Sequence, residues 1–220
     1  MTFSLLSLDK TTGILAGASA TGNLCVGGWV LRGHPFGGLT ASQGAEPSIV
    51  WGDETLKQME NGVSASNAIK GTTNNDPRRE YRQIAAIDIN GKSNVYSGGK
   101  NGVIIDEIVE DGLVLAGNIL SNRNVLKKMY DIFKKPHDSV EEKLIASLRA
   151  GAEAGGDSRG LMSAALLVFK PQQPPITLRV DYHETPIDQL ENILKKIQEP
   201  AYDAWFKTLP SYQKEEKIPK

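Results

Sequence analysis

Residues 3–8 read FSLLSL and residues 14–19 read ILAGAS, with the turn TTG at residues 11–13 between them. Both segments are short and apolar, and Asp9-Lys10 bounds the first of them. Two apolar runs separated by such a turn are typical of a β-hairpin. The sequence therefore predicts that the chain begins with two antiparallel strands.

Beyond the hairpin, strands and helices follow one another in blocks. Apolar runs predict strands at residues 24–31, 39–43, 82–89, 93–98, 113–116, 163–169 and 177–182. Helical spacing and capping residues predict helices at 55–61, 64–69, 122–135, 139–154 and 187–197. Asn90-Gly91 predicts a type I′ turn, which needs positive φ at both positions. This order predicts an α+β fold with antiparallel sheets, because neighbouring strands can pair through short turns.

The length and composition suit one folded domain. The chain has 220 residues, of which 40% are hydrophobic, and a domain of this size buries roughly 70% of the surface that its unfolded chain exposes. We predict one domain over residues 1–199. Residues 200–220 contain four Lys, three Pro and several aromatic residues, and we expect them to form a tail that either docks loosely or is partly disordered.

The charge balance argues against a polyanionic partner. Lys and Arg number 25 and Asp and Glu number 26, which gives a net charge of -1. No global field therefore draws the chain to nucleic acid or to an anionic membrane. No apolar run approaches the about 20 residues of a membrane span, and residues 1–10 lack the features of a signal peptide. We expect a cytoplasmic protein.

Cysteine and histidine are too few for the common metal sites. Cys25 is the single cysteine, which excludes an internal disulfide and a multi-cysteine zinc site. Its place in a predicted strand favours a buried, inert thiol. The three histidines have no helical metal spacing, and the glycine-rich residues 155–160 precede a strand, whereas a phosphate site needs a helix N-terminus. We predict no metal and no cofactor.

Thr2 is the residue with the clearest chemical potential. If Met1 is removed, the Thr2 hydroxyl lies beside its own α-amine. An α-amine has a pKa of about 8, so it can accept the hydroxyl proton and later return it to a leaving amine. Thr at position 2 is common and usually has no such role, but here it leads directly into a strand that would hold it rigidly.

Several segments resemble a known family in sequence and in order. They include Thr2-Phe3-Ser4, Ala18-Ser19, Thr40-Ala41-Ser42-Gln43, Arg79-Glu80-Tyr81-Arg82-Gln83, Gly117-Asn118-Ile119-Leu120, residues 154–160 (AGGDSRG) with Ser163-Ala164-Ala165, and residues 178–183 (LRVDYH). The family is DUF1028, placed in the N-terminal nucleophile (Ntn) hydrolase superfamily. The resemblance covers about residues 2–198.

The resemblance implies a four-layer αββα sandwich of two antiparallel sheets. It also implies hydrolysis of a small non-peptide C–N bond (amide, lactam or ureido) with Thr2 as the catalytic nucleophile. Two features depart from the wider superfamily, whose proteasome-like members carry an Asp and a Lys after the nucleophile. Ala18 stands where we would align the Asp, and no Lys occurs between Lys10 and Lys57.

Three further residues are candidates for binding substrate or an oxyanion. Ser19 ends the second strand, where sites of this type face the nucleophile. Gln43 and Asn118 end apolar strands and could donate to an oxyanion. Each has a structural alternative, because turn serines cap backbone groups and buried amides satisfy loop carbonyls.

The remaining candidates lie between residues 157 and 183, in or beside the last two predicted strands. We expect the Ser163 hydroxyl to reach the Thr2 amine and orient it. Asp157 and Arg159 suggest an ion pair that fixes the loop or touches substrate. Asp181 and His183 share a strand face and suggest a paired acid and imidazole, or a salt bridge at the strand end.

Three hypotheses follow for the function. The first is an amidohydrolase in which Thr2 attacks a small-molecule substrate and forms an ester that water releases. The second is a non-catalytic Ntn-fold protein that binds a ligand or serves as a scaffold. The third is an unrelated α+β protein whose aromatic tail binds a partner. An exposed strand edge or the tail would also allow a homodimer.

Overall fold

The computed structural model describes residues 2–156 and 160–212. The strands are β1 (Thr2–Asp9), β2 (Ile14–Thr21), β3 (Leu31–His34), β4 (Gly38–Gly44), β5 (Arg82–Asp88), β6 (Ser93–Ser97), β7 (Asp106–Glu110), β8 (Leu113–Asn118), β9 (Ser163–Phe169) and β10 (Ile176–Val180). The α-helices are α1 (Val26–Trp29), α2 (Ile49–Glu60), α3 (Ala65–Thr73), α4 (Asn124–Phe133), α5 (Val140–Glu153), α6 (Pro186–Ile197) and α7 (Pro200–Phe206). A 3-10 turn spans Arg79–Tyr81.

The strands form two antiparallel sheets. The larger has the order β10-β9-β2-β1-β8-β7 and the smaller has the order β3-β4-β5-β6. The predicted N-terminal hairpin is confirmed as β1 and β2, with Asp9 opposite Ile14 and Thr2 opposite Thr21. Because β8 pairs with the other side of β1, the first strand of the chain lies inside the larger sheet.

The two faces of the larger sheet belong to different cores. Residues on one face, among them Phe3 and Leu5, are fully buried against apolar side chains of α4, α5 and α6. Residues on the other face, including Leu6, pack with Leu39 and Ile87 of the smaller sheet. Alternation along β1 therefore sends odd-numbered side chains towards helices and even-numbered ones between the sheets.

The outer face of the smaller sheet is covered by α2 and α3. Trp51, Leu56 and Met59 of α2 pack there with Ile69 of α3 and Ile84 of β5. Helix α2 begins earlier than its predicted residue 55, because the Ser48 side chain accepts a hydrogen bond from the Trp51 backbone N–H and caps the helix.

The prediction of one strand over residues 24–31 is wrong. Cys25 has φ 60, and its carbonyl accepts hydrogen bonds from the N–H groups of Gly28 and Trp29, which close the turn of α1. Val26 and Val30 are both buried, and their spacing of four fits one helical turn as well as a strand. Cys25 is therefore only half-buried, in contrast to the thiol expected inside a strand.

The hairpin at Asn90-Gly91 is present, but its turn differs from the prediction. Gly91 has φ 80, whereas Asn90 does not have a positive φ. The Asp88 carboxylate accepts hydrogen bonds from the Asn90 and Lys92 N–H groups, and the Asp88 carbonyl accepts one from Gly91. A side-chain acceptor thus stabilises a four-residue loop in place of a two-residue type I′ turn.

Strand β7 has no counterpart among the strands that the sequence predicts.

The first part of the tail forms α7, and the chain then continues to Tyr212. The Tyr212 ring lies 5.4 Å from the His34 ring and 6.0 Å from the Phe169 ring, measured between centroids. Edge contacts of this kind hold the described end of the chain against β3 and β9. Within the described ranges, none of the helices combines the length and apolar character that a bilayer crossing requires.

Gly38 provides a test of how closely the strands of the smaller sheet approach. It has φ +120, and an added Cβ would lie 2.0 Å from the Ile87 carbonyl oxygen. We expect Gly38→Ala to lower the free energy of unfolding by more than about 3 kcal/mol, because strain and a backbone clash combine. Urea unfolding measures the change.

Gly62→Ala is the matched control. Gly62 also has positive φ, +83, but a Cβ there meets nothing within 4 Å, so we expect a cost of about 1 kcal/mol from conformation alone. Equal losses in the two variants would contradict the close approach of β4 and β5.

Candidate functional site

Thr2 lies at the first position of β1 and is 7% exposed. Its Oγ1 is 3.0 Å from the Thr21 Oγ1, so the two hydroxyls share a hydrogen bond. On either side, Thr2 is directly opposite Thr21 of β2 and Asn118 of β8. Pairing on both sides fixes the Thr2 backbone.

Four polar side chains form a row across neighbouring strands. The order is Asn118, Thr2, Thr21 and Ser163, because Thr21 is in turn opposite Ser163 of β9. Directly opposite residues of antiparallel strands share a face, so all four are on the face between the sheets. This row is the candidate site.

Ser163 does not take the predicted position beside the Thr2 amine. Its hydroxyl donates to the Asn23 carbonyl at 2.7 Å and accepts from the Val26 N–H at 3.0 Å. Thr21 separates Ser163 from Thr2, and two strand spacings amount to about 10 Å. Ser163 therefore anchors the segment that precedes α1.

A buried amide network lies directly below Thr2. The Gln43 side-chain nitrogen donates to Gln83 Oε1 at 2.7 Å and to the Thr2 carbonyl at 3.4 Å, and the Ser4 hydroxyl donates to Gln43 Oε1 at 2.9 Å. Asn118 Nδ2 donates to the same Gln83 oxygen at 3.3 Å. Ser4, Gln43, Gln83 and Asn118 are all fully buried, so the network connects the two sheets beneath Thr2.

The two predicted oxyanion donors, Gln43 and Asn118, both donate hydrogen bonds within the protein. Gln43 directs both of its N–H groups at protein oxygens, which favours the structural role for this side chain. Asn118 keeps its Oδ1 buried without a hydrogen-bond partner in the part of the chain that the structure describes. Asn118 thus has an acceptor that remains unused beside Thr2.

Thr2 and Thr21 line a cleft of about 620 Å³. Its walls come from three segments: residues 23–30, residues 44–47 and Ile119. The wall side chains are mostly apolar, and a concave apolar pocket with a few polar groups at its base is the usual form of a small-molecule site.

Backbone strain is concentrated at this cleft. Within the described ranges, three non-glycine residues have positive φ, namely Cys25 (60°), Ile119 (52°) and Gln172 (59°). The first two line the cleft. A left-handed conformation is especially unfavourable for a β-branched residue such as Ile119, and strain of this kind tends to occur at functional sites.

Other sequence candidates lie away from Thr2 or make different contacts. The Ser19 hydroxyl donates to the Phe3 carbonyl at 3.2 Å. Asp181 pairs with Arg179 at 2.9 Å, and His183 Nδ1 accepts a hydrogen bond from the Thr185 N–H.

Asp181 and His183 therefore do not form an acid–imidazole pair, because β10 ends at Val180 and strand alternation no longer applies beyond it. The alternative expectation, a salt bridge at the strand end, describes Asp181, whose partner is Arg179. Asp157 and Arg159 are outside the described residues.

Thr21 and Gln83 belong to the site but are not among the residues that the sequence patterns predict for it. Thr21 could have been found from the hairpin, because pairing Asp9 with Ile14 places residue i opposite residue 23 − i, hence Thr21 opposite Thr2. The same register turns Ala18 to the face occupied by Leu5, which packs against the helices. A carboxylate at position 18 would therefore point away from Thr2.

No three His, Cys, Asp or Glu side chains within residues 2–156 and 160–212 converge closely enough to hold a metal ion.

Comparison with known proteins places the chain in a family. Residues 2–190 match the family described as "Family of unknown function (DUF1028)", and the chain belongs to this family. It is similar to a crystal structure of a Silicibacter pomeroyi protein with the same family label, at 41% identity and a TM-score of 0.90. That similarity covers 96% of this chain and 95% of the other.

A second similarity is to Anbu (ancestral beta-subunit) from Yersinia bercovieri, at 11% identity and a TM-score of 0.41. It covers 97% of this chain and 100% of the other. A search of curated proteins found no match.

Gln83 allows the buried network to be tested. We expect Gln83→Leu to lower the free energy of unfolding by about 3 kcal/mol, because buried N–H groups of Gln43 and Asn118 lose their common acceptor. Urea unfolding measures the change, and the dependence of the free energy of unfolding on urea concentration should be the same for the variant and the parent.

The control is Gln173→Leu, because Gln173 is exposed and the change should stay within about 0.5 kcal/mol. A Gln83→Leu protein as stable as the parent would show that the network does not connect the sheets.

Proposed function

We propose that the protein is an Ntn-type amidohydrolase that uses Thr2 to cleave a small non-peptide C–N bond. The observation that carries the proposal is the position of Thr2, whose hydroxyl lies at the base of the 620 Å³ cleft and at the first residue of a strand paired on both sides. A nucleophile needs such a fixed backbone, because small displacements are costly to reaction rates.

The packing supports the corresponding fold proposal. Helices α4 to α6 share a core with one face of the larger sheet, the sheets share a second core, and α2 and α3 share a third with the smaller sheet. We propose that these three cores correspond to the four layers of an αββα sandwich.

The proposed reaction begins with removal of Met1, which exposes the Thr2 α-amine. The neutral amine accepts the proton of Oγ1 while the oxygen attacks the substrate carbonyl carbon. The tetrahedral intermediate collapses as the C–N bond breaks, and the protonated α-amine gives its proton to the leaving nitrogen. Water then attacks the Thr2 ester by the same proton route, which releases the acid and restores the hydroxyl.

The neighbours of Thr2 suit this use of its own amine. The Thr21 hydroxyl, 3.0 Å from Oγ1, is placed to orient the nucleophile. The described side chains that line the cleft carry no Asp, Glu, His, Lys or Arg. With an amine pKa of about 8, the base is provided by the nucleophilic residue itself.

A non-catalytic, ligand-binding function is the alternative. It is favoured by Gln43, because both of its N–H groups are used inside the protein and neither is directed at an oxyanion. Under this alternative the cleft binds a ligand and Thr2 only contributes a polar floor. Covalent capture of Thr2 distinguishes the two functions.

Capture is best tested with a small uncharged β-lactone. We expect the protein from its native host to lack Met1 and to gain the mass of one lactone, with the label on the peptide that begins at Thr2. Intact-mass and peptide mass spectrometry measure both. The experiment uses Cys25→Ala protein, since the Cys25 thiol lines the same cleft and would compete for the electrophile.

Within that background, Thr2→Ser should retain the label and Thr2→Ala should lose it. Retention of Met1 in every molecule, or a label that persists in the Thr2→Ala protein, would refute the catalytic proposal and leave the ligand-binding alternative.

The Thr21 hydroxyl can be tested separately. Thr21→Val keeps the side-chain shape but removes the hydrogen-bonding hydroxyl, so we expect the rate of lactone capture to fall about tenfold, the equivalent of one hydrogen bond. Intact-mass spectrometry of samples quenched at successive times gives the rate of capture, and near-UV circular dichroism checks the fold.

Thr21→Ser keeps the hydroxyl and should restore most of the rate. Capture of the Thr21→Val protein at the parental rate would mean that Thr21 does not orient the nucleophile.

A further inference from the structure

Two large apolar side chains are left half-exposed where they line the Thr2 cleft. Trp29 is 50% exposed and Leu24 is 48% exposed. Exposed apolar groups scattered singly need no explanation, but a group of them at a concave site indicates a binding surface. Both come from the segment around α1.

This segment is held firmly in place. The Cys25 N–H donates to the Asp181 carbonyl at 2.9 Å, and the Val26 N–H donates to the Ser163 hydroxyl at 3.0 Å. Val26 is almost fully buried. At position 27, a Cβ would come within 2.7 Å of Ala165, so only glycine lets the turn lie this close to β9. Trp29 is therefore presented from a rigid support.

Ile119 forms another part of the cleft wall at the cost of backbone strain. Its φ is 52, and both peptide groups that flank its Cα are hydrogen-bonded. The Ile119 N–H donates to the Asn101 carbonyl at 2.9 Å, and the Leu120 N–H donates to the Ile104 carbonyl at 3.0 Å. Strained residues persist where the surroundings over-determine them. Ile119 thus lines the cleft, while its side chain also packs against the core on the helix side of the larger sheet.

The third wall leaves few polar groups for a ligand. Ala45 and Pro47 line it, and the Ala45 N–H already donates to Asn101 Oδ1 at 2.9 Å. The cleft thus has a hydroxyl floor and one polar wall residue, Asn23, and its other wall side chains are apolar or small. Its volume of about 620 Å³ is ample for a ligand the size of one aromatic ring and an amide.

We propose that this cleft selects amides with an uncharged, apolar acyl group, preferably aromatic, which lies between Trp29 and Ile119 with its carbonyl at Thr2. The inference rests on the proposed function for the identity of the reacting group. An aromatic acyl group gains from contact with Trp29. An anionic acyl group would lose hydration without a cationic partner among the described lining residues.

The test measures binding to the Thr2→Ala protein, so that neither turnover nor a free amine is required. The probes are phenylacetamide and malonamate, which have similar amide groups but an apolar and an anionic remainder. Isothermal titration or ligand-observed NMR gives the affinities. We expect phenylacetamide to bind at least about tenfold more tightly than malonamate.

Trp29→Ala, added to Thr2→Ala, should weaken phenylacetamide binding by about tenfold, as expected for loss of an aromatic contact and its buried area. Trp205→Ala is the matched control, because Trp205 is 52% exposed but belongs to α7, outside the cleft. It should leave the affinity unchanged. If the Trp29→Ala protein fails to fold, Ile119→Ala tests the other wall with the same expectation.

Equal or tighter binding of malonamate would overturn the proposal, as would an affinity for phenylacetamide that neither Trp29→Ala nor Ile119→Ala changes. These results are separable from those of lactone capture. Trp29-dependent phenylacetamide binding without capture of Thr2 would refute catalysis but keep the ligand class. Capture of Thr2 together with a preference for malonamate would refute the ligand class alone.

Discussion

Strand β1 is hydrogen-bonded to β2 on one side and to β8 on the other. Both pairings fix the register of β1 and therefore the position of its first residue, Thr2. A shift by one residue would turn Thr2 towards the helices and bring Phe3 between the sheets. Full burial of Phe3 and Leu5 on the helix side makes that shift costly. The position of Thr2 is therefore set by the hydrophobic burial of the side chains that follow it in β1.

The amide network beneath Thr2 adds a second constraint. Apolar contacts between sheets are tolerant of small sliding motions, whereas Gln83 must accept from both Gln43 and Asn118 while it donates to Ser97 at 2.9 Å. Buried polar groups are costly unless their partners are in place. The network therefore fixes the relative position of the two sheets at the end where the cleft lies.

Local patterns in the sequence were sufficient for most elements. The hairpin of β1 and β2 and the amphipathic helices α4 and α6 were predicted close to their observed bounds, because alternation and helical spacing are local signals. Predictions failed where distant contacts decide the conformation. The turn at Cys25 depends on the Asp181 carbonyl, and Ser163 was misassigned because its partners, Asn23 and Val26, are 137 or more residues away in sequence.

The aromatic contacts of Tyr212 have a practical consequence for handling the protein. Phe169, which Tyr212 touches, pairs with Leu15, whereas the candidate site is at Thr21, the opposite end of β2. Six residues of strand separate the two by about 20 Å. A tag fused after the carboxyl end would thus follow Tyr212, which lies at the end of β2 far from the cleft. A tag at the amino end would block the α-amine that the proposed reaction requires.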